Sequence, residues 1–287
     1  MTLSRIIWLA SFPKSGNTWL RLLLANYFMP KGEQIHINNI SRFTTSDTRQ
    51  RFFDEAAGRP FHARDAQDWL NMRPKALRLI AASKPGRHFV KTHCKIARIE
   101  GQILIPPELT VGAVYVCRNP FDVAISYARH LDLEIDDAIG KMADESTVNA
   151  SITNLLTVIG RWDTHIDSWI NAPGMWRHVM RYEDMVADIE TSLRGLLGFL
   201  KAPVEIGRLR RAIRLAKFEN LQRQEKSKGF RERPPVMKQF FVSGRPGGWR
   251  ETLTPAQIGR IREEFAAALE AHYPELLAET AEFAASR

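Results

Sequence analysis

Residues 6 to 19 constrain the fold more than any other stretch of this chain. Ile6-Ile7-Trp8-Leu9-Ala10-Ser11 has the length and apolarity of a buried strand, Pro13 ends it, and Leu20, Leu23, Leu24 and Tyr27 then recur at helical spacing. Between strand and helix stand Phe12-Pro13-Lys14-Ser15-Gly16-Asn17-Thr18. Gly16 lets the backbone bend tightly and approach a ligand closely. A strand that turns straight into a helix points successive N–H groups and a helix N-terminus at one spot, which favours an anion. Lys14 adds a point charge there, Ser15, Asn17 and Thr18 add donors, and Trp19 is placed to stack on a base. A phosphorylated nucleotide is the first ligand this pattern predicts. The order is not Gly-x-x-x-x-Gly-Lys-[Ser/Thr], because the lysine precedes the glycine.

The 287 residues contain no Pro/Gly/Ser-rich linker, internal repeat or low-complexity stretch, so one domain spanning 1–287 is expected. Strand-like runs near 5–11, 87–92, 112–117 and 177–181 alternate with segments of helical periodicity. This alternation predicts an α/β fold, P-loop-like, with a central parallel sheet flanked by helices and ligands at the carboxyl ends of the strands. A polar cluster follows each run: Lys14 the first, Lys91-Thr92-His93 the second, Arg118-Asn119-Pro120 the third and Tyr182-Glu183-Asp184 the fourth.

Arg118 is the terminal cation of the third run, and Pro120 suits the first turn of the helix carrying Ser126. Guanidinium and hydroxyl facing one pocket make a second phosphate site, with an Arg118–Asp122 pair as the plainer alternative. His93, beside Lys91, has the titration range of a general base. Cys94 and Cys117 have neither zinc spacing nor a disulfide framework and are expected to be reduced and packed. The net charge of +9 suits an anionic ligand, but Arg208, Arg210, Arg211 and Arg214 point around a helix rather than along a stripe, so nucleic acid is not the expected partner. The first apolar run is short, broken by Ser11 and followed by Pro and Lys. It predicts neither a membrane span nor a cleaved leader, and hence a cytoplasmic protein.

The motifs together resemble the PAPS-dependent sulfotransferases, which move a sulfuryl group from 3′-phosphoadenosine 5′-phosphosulfate (PAPS) to an alcohol, phenol or amine. Phe12 to Trp19 is similar to that family's 5′-phosphosulfate loop and Tyr115 to Tyr127 to its 3′-phosphate motif. Val90-Lys91-Thr92-His93 is similar to the segment with the catalytic histidine. Arg181-Tyr182-Glu183-Asp184-Met185 and Gly244-Arg245-Pro246-Gly247-Gly248-Trp249-Arg250 match two later segments. The resemblance implies His93 as the base and Lys14 and Lys91 as stabilisers of developing charge. It also implies that Ser126 holds Lys14 off the bridging oxygen, and that Arg118, Ser126, Gly244 and Arg245 bind the 3′-phosphate. Trp19, Tyr182 and Phe218 would hold adenine. PAPS would be the co-substrate, 3′-phosphoadenosine 5′-phosphate (PAP) the product, and no metal is called for.

The chain departs from the family pattern in three places. Val242-Ser243 stands where relatives carry an Arg-Lys pair, Ala216 where a threonine is common, and Pro255 and Gly259 interrupt the short dimerisation motif, so oligomeric state stays open. The stretch holding Phe52, Phe53, Arg59, Phe61, His62, Arg64, Asp65 and Trp69 is expected to form an acceptor lid, with 131–147 and 226–239 as further walls for a small or medium-sized acceptor. Two alternatives remain at this point. A P-loop-type kinase would need Mg²⁺ and a lysine after the glycine; a non-catalytic nucleotide- or nucleic-acid-binding protein gives no reason for His93 beside Lys91.

Overall fold

The computed structural model describes residues 6–151 and 155–281. Its centre is a parallel sheet of five strands in the order Thr45–Ser46, His88–Thr92, Ile6–Ser11, Thr110–Cys117, Arg177–Arg181. The four runs anticipated from apolarity are all strands of this sheet. The fifth, Thr45–Ser46, is two residues long and so has no periodicity to read. Two small antiparallel ladders, Arg98–Ile99 with Gln102–Ile103 and Val148–Ala150 with Leu156–Val158, lie outside it.

Ile6–Ser11 is buried along its whole length because both faces of the sheet are covered. Alternate side chains enter opposite cores, as the two-residue period of a strand requires. Ile6, Trp8 and Ala10 join a core with Trp69, Tyr115, Trp162, Trp169 and Trp249. Leu9 joins the other, where helix Asn17–Phe28 packs Leu20, Leu23 and Leu24 against Val114, Val116, Leu196 and Leu209. Cys94 and Cys117 are free thiols buried in this interior, and burial pushes each up to about 12. Arg211 donates to the carbonyls of Asn26, Met29 and Pro30 at the end of helix Asn17–Phe28, which satisfies acceptors the helix leaves open. Among the described residues no helix is long and apolar enough to cross a membrane.

The expected lid is not a lid. Phe52, Phe53, Phe61 and Trp69 are buried in the first core, Phe53 and Phe61 with ring centroids 6.0 Å apart. Asp65 caps helix Ala66–Ala82 and Arg64 pairs with Asp68, while Arg59 and His62 face solvent. Phe52, Phe53 and Trp69 are on the apolar faces of two packed helices, Phe61 is in the segment that joins them, and none of these residues lines the main cleft. Neither does any residue of 131–147; Asp136 instead receives hydrogen bonds from Gln257 and Arg260.

The carboxyl end of His88–Thr92 is pinned from behind by a buried ion pair. Arg73 and Asp47, each 2 % exposed, meet at 2.8 Å. Thr92 Oγ1 donates to Asp47 at 2.8 Å, the Asp47 N–H donates to the Lys91 carbonyl, and Arg73 donates to the Leu104 carbonyl. Asp47→Ala leaves Arg73 buried without its counter-charge and is expected to cost about 3–5 kcal/mol, read from the urea midpoint. A loss below about 1 kcal/mol would mean that water reaches the guanidinium instead.

Candidate active site

All the strand-end clusters open on one cleft of about 640 Å³. The loop after Ile6–Ser11 turns through two left-handed residues, Lys14 at φ 67° and Gly16 at φ 105°. Gly16 is required twice over: a Cβ there would need that backbone angle and would lie 2.6 Å from the Tyr182 ring. The turn feeds helix Asn17–Phe28, whose first turn carries no acidic side chain, so its N-terminal field is uncompensated.

Two loop residues show more than the sequence told. The Asn17 amide donates back to the Leu9 carbonyl at 2.9 Å, which fastens the loop to its strand, and Asn17 also lines the cleft. Ser15 is fully buried and does not line the cleft. Thr18 and Trp19 do line it.

Three cations converge. Lys14 is pushed down to about 7 by burial first, then by Arg118 and Lys91. Burial also lowers Lys91, with Glu232 opposing the shift. Burial works against ionising Glu232, but Arg21, bonded through both guanidinium nitrogens at 2.8 Å, and the nearby Lys91 bring it down to about 2. Arg118 reaches the Lys14 and Arg245 carbonyls at 3.4 Å each and stacks 4.5 Å from the Tyr182 ring centroid. It also lies 3.6 Å from Asp122, so the plainer pairing foreseen for it coexists with its place on the cleft.

His93 lies between these cations and the core. Its Nδ1 is 2.8 Å from the Ser11 carbonyl, which can only accept, so Nδ1 carries the proton and Nε2 keeps its lone pair. Burial, then Lys91, holds the imidazole well below its ordinary range, so it is neutral at pH 7. Its own carbonyl accepts from His165 Nε2 at 3.1 Å, and Tyr115 donates to His165 Nδ1 at 2.8 Å. The general-base candidate is therefore held at both its ring and its backbone.

The other end of the cleft is an aromatic slot closed by a glycine-rich loop. Trp19, Tyr182 and Phe218 line it, with Trp19 Nε1 donating to the Ala216 carbonyl at 3.0 Å and Tyr182 Oη to the Gly244 carbonyl at 2.8 Å. Asp122 accepts the N–H groups of Gly247 at 2.8 Å and Trp249 at 3.2 Å, which ties that loop to the helix bearing Ser126. Glu183 accepts from both the backbone and the side-chain amide of Asn119. Ser126 and Arg245 line the cleft, and among the described residues Ser126 makes no hydrogen bond to Lys14. Among the described residues no group of three or more His, Cys, Asp or Glu is arranged to hold a metal.

Residues 4–277 match the family model described as a sulfotransferase domain. The chain belongs to the sulfotransferase family. It is 26% identical over 263 residues to cytosolic sulfotransferase 15 of Arabidopsis thaliana, covering 88% of this chain and 68% of that protein. To flavonol 3-sulfotransferase of Flaveria bidentis it is 23% identical, covering 89% and 78%. Among solved structures it shares its fold with mouse sulfotransferase SULT7A1 complexed with PAP, at TM-score 0.59 and 19% identity over 97% and 90% of the two chains. A retinol dehydratase in complex with androsterone and inactive cofactor PAP gives TM-score 0.65 at 18% identity, covering 92% and 80%.

The stretch 226–239 expected as a wall does line the cleft, through Arg231, Glu232, Arg233, Pro234 and Met237, but sequence reasoning about this sulfotransferase did not single out Glu225, Glu232 or Phe240 and treated Asp122 only as a partner for Arg118. Glu232 meets Arg21 across 211 positions of chain, so no local pattern announces it. Gly244 carries a geometric requirement the sequence only hinted at. Its φ is 65°, and an added Cβ would lie 2.4 Å from the Phe218 ring. Gly244→Ala is expected to lose about 1–3 kcal/mol of stability in urea melts. Gly198→Ala, in a helix with open space beside it, is the control that leaves stability equal or higher. Equal midpoints for the two variants would show that Phe218 yields to the methyl group.

Proposed function

We propose that this protein transfers the sulfuryl group of PAPS to a hydroxyl or amine of a small acceptor, with His93 as the base. The observation that carries the proposal is the hydrogen bond from His93 Nδ1 to the Ser11 carbonyl, which leaves a neutral Nε2 lone pair on the cleft with Lys14 and Lys91. The acceptor oxygen or nitrogen attacks sulfur as Nε2 takes its proton, and the sulfur–oxygen bond to the 5′-phosphate breaks. Lys14 and the N–H groups at the start of helix Asn17–Phe28 meet the charge that develops on the departing phosphate, and Lys91 the charge on the sulfuryl oxygens. Arg118, Ser126, Gly244 and Arg245 hold the 3′-phosphate, and Trp19, Tyr182 and Phe218 enclose the adenine. Ser15 contributes through its backbone and Asn17 by fastening the loop.

The flavonol named for one relative and the androsterone bound to one structural neighbour support a small hydroxylated acceptor. Cytosolic relatives support a cytoplasmic location. The two cores share a single sheet, which supports one domain over the chain.

Calorimetric titration in EDTA with PAP and with ADP tests the donor site. PAP is expected to bind more tightly, and Arg118→Ala to remove about 10–100-fold of affinity for PAP but little for ADP, in line with about 1.5–3 kcal/mol for a hydrogen bond to a charged group. Equal losses for both ligands would sink the 3′-phosphate assignment.

His93→Ala is expected to keep PAP affinity while single-turnover transfer falls about 10²–10⁴-fold. Weakened PAP binding with unchanged turnover would remove His93 from the role of base.

A further inference from the structure

We propose that Phe240 is a positioning residue for Lys14: its ring face holds the ammonium in the unliganded protein and gives it up to the donor phosphate. This rests on reading Lys14 as the residue that meets the departing phosphate. Lys14 Nζ lies 3.8 Å from the Phe240 ring centroid, the shortest cation–ring contact among the described residues. Among those residues the ammonium has no hydrogen bond and no carboxylate within ion-pair distance, so the ring is its close partner.

The perch itself is built. The N–H groups of Phe240 and Phe241 donate to the two oxygens of Glu225 at 2.8 and 3.0 Å, and Glu225 is only 5% exposed. Phe230 and Phe241 pack edge-on against the Phe240 ring, with centroids 4.9 and 5.1 Å away. Lys14 starts from a left-handed backbone position, so the loop turn rather than a helix sets where its stem departs.

The groups facing this ammonium explain why a ring is needed. Arg118 from the end of Thr110–Cys117 and Lys91 from His88–Thr92 repel it, and Glu225 from helix Phe218–Lys228 attracts it more weakly. His130 on helix Pro120–Leu131 and His93 are themselves driven neutral by burial. The electron-rich face of a desolvated aromatic ring stabilises the charge at contact without placing an anion in the donor site. Phe240 lines the same cleft, so a phosphate entering beside it competes directly for the lysine, and a full negative charge outbids a quadrupole.

The test is the pH dependence of Lys14 acylation by trace acetic anhydride, read by peptide mass spectrometry on the purified protein. Phe240→Leu keeps the apolar volume and removes the ring face. It is expected to lower the midpoint by about one pH unit, the size of one desolvated cation–π contact. Phe240→Met guards against a variant that does not fold, and is expected to behave alike. Phe240→Tyr is expected to retain the wild-type midpoint, as is Ser126→Ala. With saturating PAP, wild type and Phe240→Leu are expected to rise to a common higher midpoint. A wild-type midpoint in Phe240→Leu and Phe240→Met, or a fall in Phe240→Tyr as large as in Phe240→Leu, would overturn the proposal. If PAP moves no profile while the Phe240→Leu shift remains, the perch stands and the donor-site reading fails.

Discussion

Hydrogen bonding of Ile6–Ser11 to parallel neighbours on both sides governs the rest of this molecule. Ala10 faces Thr92 on one side and Tyr115 on the other, and Cys117 in turn faces Arg181. Strands in that register must finish at the same height. Lys14, His93, Arg118 and Tyr182 belong to segments far apart in sequence, yet each leaves the sheet within a few residues of a strand end. A slip of one residue in any of these ladders would exchange core-facing for outward-facing side chains along a whole strand. The apolar cores that fix the register therefore also fix the distances in the cleft.

The same convergence crowds like charges. Lys14, Lys91 and Arg118 line one cavity, and the carboxylates close to them are already engaged. Glu232 is bound by Arg21, Glu225 by two backbone N–H groups and Asp122 by two more. These acids soften the repulsion from behind without cancelling the field inside the cleft. A polyanion is the species that satisfies such an arrangement, and the strain of holding it open is the kind of local cost that accompanies function.

What could be read from the chain and what could not divide along physical lines. Strand runs such as Val114–Cys117 and the turn at Gly16 announce themselves because apolarity, periodicity and glycine act over a few residues. Phe52, Phe53 and Trp69 misled because an aromatic residue reads alike in a lid and in a core; only the packing of helices Gln50–Ala57 and Ala66–Ala82 shows them inside. Asn17 reads as a donor for a ligand, and its second task of holding the loop to the Leu9 carbonyl is visible only in the fold. Glu225 and Phe240 were invisible because their meaning lies in the contact between helix Phe218–Lys228 and the segment after it. Asp122 was legible as a charge near Arg118, but its grip on Gly247 and Trp249 spans more than a hundred residues.

The two thiols add a property unrelated to the cleft. Cys94 and Cys117 lie inside the folded protein with their pKa values raised to about 12, where thiolate is scarce at neutral pH. Alkylating agents and peroxides thus find little to react with while the sheet is intact. Opening the interior exposes both sulfurs and returns them to ordinary acidity, so each unfolding event converts a silent chain into a reactive one. The molecule carries an internal clock for its own opening, and when label is concentrated enough to react before the chain recloses, the rate at which its sulfurs take it up reports the lifetime of the native state.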